Sequence, residues 1–569
     1  MRESPEATAA QLDLVIAGAM VIDGTGTPGR ITDVGVVADR IVAIGDLTSV
    51  PADKRISGTG KVLTPGFIDI HTHSDFSLLF TPGMESSLAQ GVTAEVVGNC
   101  GISLGLASGG ELFSLERRGL ERVGLGIDWP DMGGFLNRVE SSGTAIHVAT
   151  LAGHGTLRKR VMGIANRPPE RAEMSAMCRL LEGALEAGAV GLSSGLEYVP
   201  GMYADVAEMA ALAAVAREAG GFYATHLRDE GDFLVEAVDE AIAVAERANL
   251  PLQLSHHKAE RPPNWGKVTV TLERIAAARA RGVDIQLDQY PYTAYQTALS
   301  TIALPPWAVG GTPESMAERL RDPEVRQRVR AEMTVVDYAA VVMASCPPYP
   351  EFSGRSVADL AADAGVDPRD WILDLLSLGE GWISAVHHAM CEEDLERILA
   401  DPFVMVGSDS VAASLRGSLA QDRPHPRTFG TFVRVLGRYV RERGVLTLEE
   451  AIRRMTSLPA DRLGWTDRGR IRVGAVADLV LLDPETVGAR CRRGLGSRGL
   501  GLGGRISDWF AERTGPARPV VISRWPRTPH PRAISPAPGY SAHPRRGSSR
   551  PDVPNQSVEF PAPDRLRSG

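Results

Sequence analysis

Between Leu12 and Val62 the apolar residues come in short bursts, Leu14–Ile16, Met20–Ile22, Val34–Val36 and Arg40–Ile44, broken by Gly24, Gly26 and Asp39. Bursts of that length separated by turn residues predict short strands, and so a small β unit over residues 12–63. From residue 64 the rhythm changes, and strand-length apolar runs alternate with stretches of helical periodicity. The predicted strands are Phe67–His73, Thr93–Val97, Ile146–Leu151, Val190–Ser193, Phe222–Thr225, Leu252–Ser255, Val283–Leu287 and Phe403–Val406. The helices between them include Met84–Gln90, Met174–Glu186, Asp205–Ala219, Phe233–Ala248, Leu272–Arg281 and Glu393–Leu399, several of them stopped by glycine. Eight strands, nearly all followed by helices, predict an α/β protein built on a (β/α)8 barrel over residues 64–454.

An open doubly wound sheet is the competing arrangement. No Gly-x-Gly-x-x-Gly follows the first strand, so dinucleotide binding lacks its fingerprint. Residues 297–375, proline-rich near Pro305 and Pro347, break the strand–helix rhythm and read as an insertion or lid between the seventh and eighth strands. Residues 455–488 read as a return to the small β domain, giving a β-sandwich made by the N-terminal segment and the segment after the barrel. Residues 1–11 are expected to be flexible. The Arg-, Gly- and Pro-rich tail, 489–569, is expected to be disordered, with Val520–Ser523 its one segment able to pair as a strand.

Charge sharpens this division. The net charge is −9, yet the tail carries 15 Arg, no Lys and 5 acids, so that the preceding body is strongly acidic. An acidic body argues against nucleic acid as a partner. No apolar run is long enough to span a bilayer, and Met1–Leu12 has no apolar core of a secretory signal, so no membrane is expected. Five irregularly spaced cysteines, an odd number, argue against a disulfide framework and for a reducing, cytoplasmic location. Lysine is scarce, with only Lys54, Lys61, Lys159, Lys258 and Lys267, so each one at a suggestive position carries extra weight. No pattern in the chain specifies an oligomeric state.

Barrels of this class place their chemistry at the carboxyl ends of the strands. Those ends carry His71, His73, Cys100, His226, His256 and Asp409, all metal-ligand types. In the first strand His71 and His73 are two apart and so project from one face. Each residue alone has an ordinary explanation, a core cysteine or a turn-capping aspartate, but six at equivalent places point to a metal centre. Imidazoles with one thiolate suit zinc better than the oxygen-seeking magnesium or calcium. Cys100, His226 and His256 make a three-ligand catalytic set; His71, His73 and Asp409, with Cys100 bridging, make room for a second, weaker ion. Asp409 is also the candidate general base. A barrel that kept its fold and lost its chemistry is the non-catalytic alternative.

The chain resembles the amidohydrolase superfamily and, within it, the D-aminoacylases (N-acyl-D-amino-acid deacylases), from about Asp13 to Asp483. The motifs that carry this are Pro65-Gly-Phe-Ile-Asp-Ile-His-Thr-His-Ser-Asp75, Val97-Gly-Asn-Cys-Gly-Ile102, Gly191-Leu-Ser-Ser-Gly-Leu-Glu-Tyr198, Ala224-Thr-His-Leu-Arg228, Leu254-Ser-His-His-Lys258, Tyr290-Pro-Tyr292, Gly407-Ser-Asp409 and Arg423-Pro-His-Pro-Arg427. The resemblance implies zinc-dependent hydrolysis of N-acyl-D-amino acids, with one tight zinc on Cys100, His226 and His256 and Asp409 catalytic. It implies that Lys258, Tyr290 and Arg427 hold the substrate carboxylate and the oxygen of the scissile bond. Other superfamily chemistry, on cyclic amides or dipeptides as in hydantoinases and dihydroorotases, is the alternative reading. Two departures stand out: Tyr295-Gln296 where a small hydroxyl residue is expected, and the absence after Asp483 of the strands that complete the small domain.

Overall fold

The computed structural model describes residues 11–107, 120, 124–310, 312–379, 383–414, 424–488 and 520–522. The N-terminal segment expected to be flexible and the tail expected to be disordered lie outside the described residues, apart from residues 11 and 520–522. The chain opens with β1 (Leu12–Val21), β2 (Arg30–Val37), β3 (Arg40–Gly45), β4 (Ala52–Ser57) and β5 (Val62–Pro65). One edge of β1 is shared, its first half pairing with β4 and its second with β5, while β2 lies along the other edge. The sheet thus divides into two leaves around Ile16, Val34, Leu63 and Leu479.

The barrel strands follow: β6 (Phe67–Asp69), β7 (Val92–Val97), β8 (His147–Thr150) with its continuation β9 (Ala152–Gly153), β10 (Gly191–Gly195), β11 (Phe222–His226), β12 (Leu252–Leu254) and β13 (Ile285–Gln289). All neighbouring pairs are parallel. The seventh strand sits two residues later than periodicity predicts, because polar Asp288 and Gln289 are paired with Met405 and Val406 of the eighth.

The segment between strands seven and eight is longer than the expected 297–375. It contains β14 (Tyr295–Ala298), β15 (Val341–Ser345) and β16 (Ser384–His387), with six α-helices among the described residues between them and its own core around Leu299, Leu360, Trp371 and Leu373. The return strand β16 pairs with both β14 and β15, so the inserted layer cannot end before His387. β17 (Val404–Val406) is the eighth barrel strand. Beyond it, Asp409 N donates to His71 O at 2.8 Å and Thr72 bridges Ser410, bringing the eighth strand back beside the first. β18 (Leu479–Leu482) and β19 (Val520–Ile522) then join the small sheet, β18 against β5 and β19 against β18.

Strand alternation sets what faces where. Leu252, Leu254, Leu287, Val404 and Val406 pack outward against the helices, among them Arg171–Glu186, Val206–Glu218, Leu234–Ala248 and Lys267–Ala280. Ile70, Val96, Ala149, Phe222, Ala224 and Met405 fill the barrel interior. His226 continues the inward series Phe222, Ala224, so the strand that builds the core also delivers the imidazole. Among the described residues, no helix is long and apolar enough to cross a membrane.

Candidate active site

At the carboxyl ends of the strands the six predicted ligands come together in two overlapping groups, His71–His73–Cys100–Asp409 and Cys100–His226–His256, whose donor atoms within each group all lie within 4.8 Å of one another. Cys100 Sγ is 3.3 Å from His71 Nε2 and 3.6 Å from His256 Nε2, and His226 Nδ1 is 2.9 Å from His256 Nε2. Asp409 Oδ1 is 3.2 Å from His73 Nε2 and 3.6 Å from His71 Nε2.

Three of these residues, Cys100 (φ 52°), His256 (φ 34°) and Asp409 (φ 50°), have left-handed backbones, which cost side-chain-bearing residues roughly 1–2 kcal/mol each. In each case the strand has just ended and the chain must turn over the barrel mouth. Around Cys100 the turn also needs glycine: a Cβ on Gly98 would meet Leu151 O at 2.3 Å, and one on Gly195 would meet Cys100 O at the same distance.

The electrostatics favour a cation. Burial by itself raises a thiol pKa and lowers an imidazole pKa. At Cys100 burial is overridden by the neighbouring imidazoles, led by His71, and the thiol is held well below its ordinary range. At His71 and His226 burial is likewise overridden, by Asp288 with Cys100 and by Glu230 with Cys100 and Glu197, and both are lifted well above theirs. His73, against Asp409 and Cys100, is raised to about 9 despite burial. The facing nitrogens of His226 and His256, with a sulfur beside them, repel unless a proton or metal lies between. Buried donors of this kind, crowded by carboxylates, fit zinc.

Residues 56–506 match the family model described as the amidohydrolase family. The chain belongs to the amidohydrolase family. It is similar to the N-acyl-D-glutamate deacylase of Alcaligenes xylosoxydans xylosoxydans, 42% identical over 84% of this chain and 88% of that one. It is 38% identical to the D-aminoacylase of the same organism, over 84% of this chain and 89% of the relative. Among solved structures it resembles the N-acyl-D-glutamate deacylase from Bordetella bronchiseptica complexed with zinc and a phosphonate inhibitor, at TM-score 0.71 and 37% identity, covering 85% of this chain and 92% of that one.

In this amidohydrolase the three residues expected to hold substrate also reach the site. Arg427 Nη1 is 2.7 Å from Asp409 Oδ2, and its guanidinium lies 4.7 Å from the centre of the Tyr290 ring. Burial raises the Asp409 pKa but Arg427 outweighs it, so the carboxyl stays well below its ordinary range and ionised. Lys258 Nζ is 5.9 Å from the Tyr290 ring and 2.5 Å from Glu230 Oε2. Tyr290 is fully buried and its hydroxyl has no hydrogen-bond partner among the described residues.

Sequence patterning did not promote any of the carboxylates behind the histidines. Asp288 Oδ1 is 3.0 Å from His71 Nδ1 and accepts from His256 N at 2.8 Å. Glu197 Oε2 is 2.7 Å from His226 Nε2. Glu230 Oε1 is 3.1 Å from His256 Nδ1. Asp288 had a usable signal, standing on an inward position two residues before Tyr290; Glu230, in a loop, had none. His154, just after β9, pairs with Glu208, which also holds Arg158. The unexpected Tyr295-Gln296 ties the insertion to its surroundings: Tyr295 Oη lies 3.1 Å from Glu260 Oε2 and from His387 Nδ1, and Gln296 Oε1 accepts from His425 N at 2.7 Å.

Proposed function

We propose that this protein hydrolyses the amide bond of N-acyl-D-amino acids, releasing a carboxylate and a free D-amino acid. The meeting of Cys100, His226, His256 and Asp409 at one barrel mouth carries the reading, and the names of its deacylase relatives support it. Cys100, His226 and His256 would hold one zinc ion tightly; His71, His73 and Asp409 would hold a weaker second. Bound there, zinc supplies a Lewis acid for the acyl carbonyl and lowers the pKa of a water to about 7.

The protein's own groups do the remaining work. Asp409, ionised beside Arg427, takes the proton of the attacking water and hands it to the leaving nitrogen. Lys258 and Arg427 hold the substrate carboxylate, an ammonium and a planar guanidinium being its natural partners. The Tyr290 hydroxyl, without a hydrogen-bond partner among the described residues, donates to the oxygen that gains charge as the carbonyl becomes tetrahedral. Tyr290→Phe keeps the ring against Arg427 and is expected to lower kcat about 10²–10³-fold with little change in KM, measured by steady-state kinetics. We place the protein in a reducing cytoplasm, where the thiol of Cys100, free in the structure, stays available as a ligand.

Paired N-acetyl D- and L-amino acids, assayed with zinc analysis on the same sample, test the activity. Release of the D-amino acid with at least ten-fold preference is expected. Equal cleavage of both enantiomers, or turnover of cyclic amides alone, would overturn the assignment.

A further inference from the structure

Glu230 is a buried carboxylate with both oxygens committed. Oε1 is 3.1 Å from Nδ1 of His256, and Oε2 is 2.5 Å from Nζ of Lys258. Its side chain is only 2% exposed, and its loop is pinned by Glu260 N donating to Glu230 O at 2.8 Å. The neighbouring carboxylates serve other groups: Glu197 serves His226, and Asp288 serves His71, the backbone of His256 and Gln253, and neither is placed against a substrate-holding cation.

The proton inventory decides the direction of these contacts. Nε2 of His256 faces Cys100 and His226, so a metal held by those three leaves the proton of His256 on Nδ1. Among the described residues, only Glu230 and Lys258 are placed against that nitrogen, at 3.1 and 3.0 Å, and an ammonium accepts nothing. The proton therefore goes to Glu230. A carboxylate behind a ligating imidazole fixes its tautomer and makes it a better donor. The same carboxylate neutralises and aims the lysine two residues further on.

We propose that Glu230 is a positioning residue that serves metal and substrate together, setting the His256 tautomer with one oxygen and the Lys258 ammonium with the other. The inference rests on the zinc deacylase reading above. Neutral Gln in its place keeps the shape but loses the charge both partners use.

Glu230→Gln is expected to weaken zinc about 10–100-fold, read by competition with a chelator of known affinity. At saturating zinc it is expected to raise KM for the preferred N-acetyl-D-amino acid about ten-fold or more, roughly the effect of one lost charged contact. Two controls separate the halves: Glu197→Gln should weaken zinc and leave KM alone, and Lys258→Met should raise KM and leave zinc affinity alone. Wild-type zinc affinity and KM in Glu230→Gln would overturn the proposal, and so would a change in only one of them. Should that variant be insoluble, Glu230→Asp is read in the same way. Absence of zinc or of hydrolysis in the unaltered protein would instead sink the activity reading.

Discussion

Asp409→Asn should retain its tight zinc and lose turnover by about 10²–10⁴-fold, the range of a missing general acid–base. The amide is nearly the same shape as the carboxylate, so the left-handed turn at φ 50° and the backbone bond from Asp409 N to His71 O should survive. What disappears is a basic oxygen 3.2 Å from His73 Nε2, and with it the place for the proton that must travel from water to the leaving nitrogen. The Arg427 guanidinium, now without its carboxylate at 2.7 Å, becomes a stronger anchor for substrate. KM should therefore fall or hold while kcat collapses. Steady-state kinetics with zinc analysis on one preparation checks both halves; near-normal kcat would remove Asp409 from proton transfer.

Cys100→Ser should cost the zinc itself. Serine leaves the backbone at position 100 unchanged, so the tight backbone approaches at Gly98 and Gly195 are preserved. A serine hydroxyl stays protonated where the thiol is already held well below its usual range by the surrounding imidazoles. Cys100 belongs to both ligand groups, so both ion positions weaken at once. A loss of several kcal/mol, about 10³-fold or more in affinity, follows from removing one anionic ligand. Dialysis against a chelator followed by metal analysis reads this directly, and in the cobalt-loaded enzyme the sulfur-to-metal absorption should vanish. Full zinc retention in the variant would take Cys100 out of the ligand set.

The residues proposed as ligands were readable one by one because each ends an apolar strand. His226 is two positions beyond inward-facing Ala224, and Asp409 closes the run Val404–Val406 through Gly407. Two of the three carboxylates behind those ligands could not be placed from the sequence. Glu197 and Glu230 lie beyond strand ends, where no periodicity constrains a side chain, and their partners are 29 and 26 positions away. The insertion's limits failed for a related reason: β16 is a strand only because β14 and β15 flank it, and four residues give too little pattern of their own.

Sequence alone therefore determined the order of strands and helices, the inward face of each strand and the ligand-type residues at the strand ends, since these follow from a period of two or 3.6 and from chain order. Tertiary structure alone decided that Cys100 meets His226 and His256 across gaps of more than a hundred residues, and that Glu230 joins His256 to Lys258. The reason is physical: periodicity records which way a side chain points within its own element, whereas hydrogen bonds and ion pairs between loops depend on how separate elements pack together.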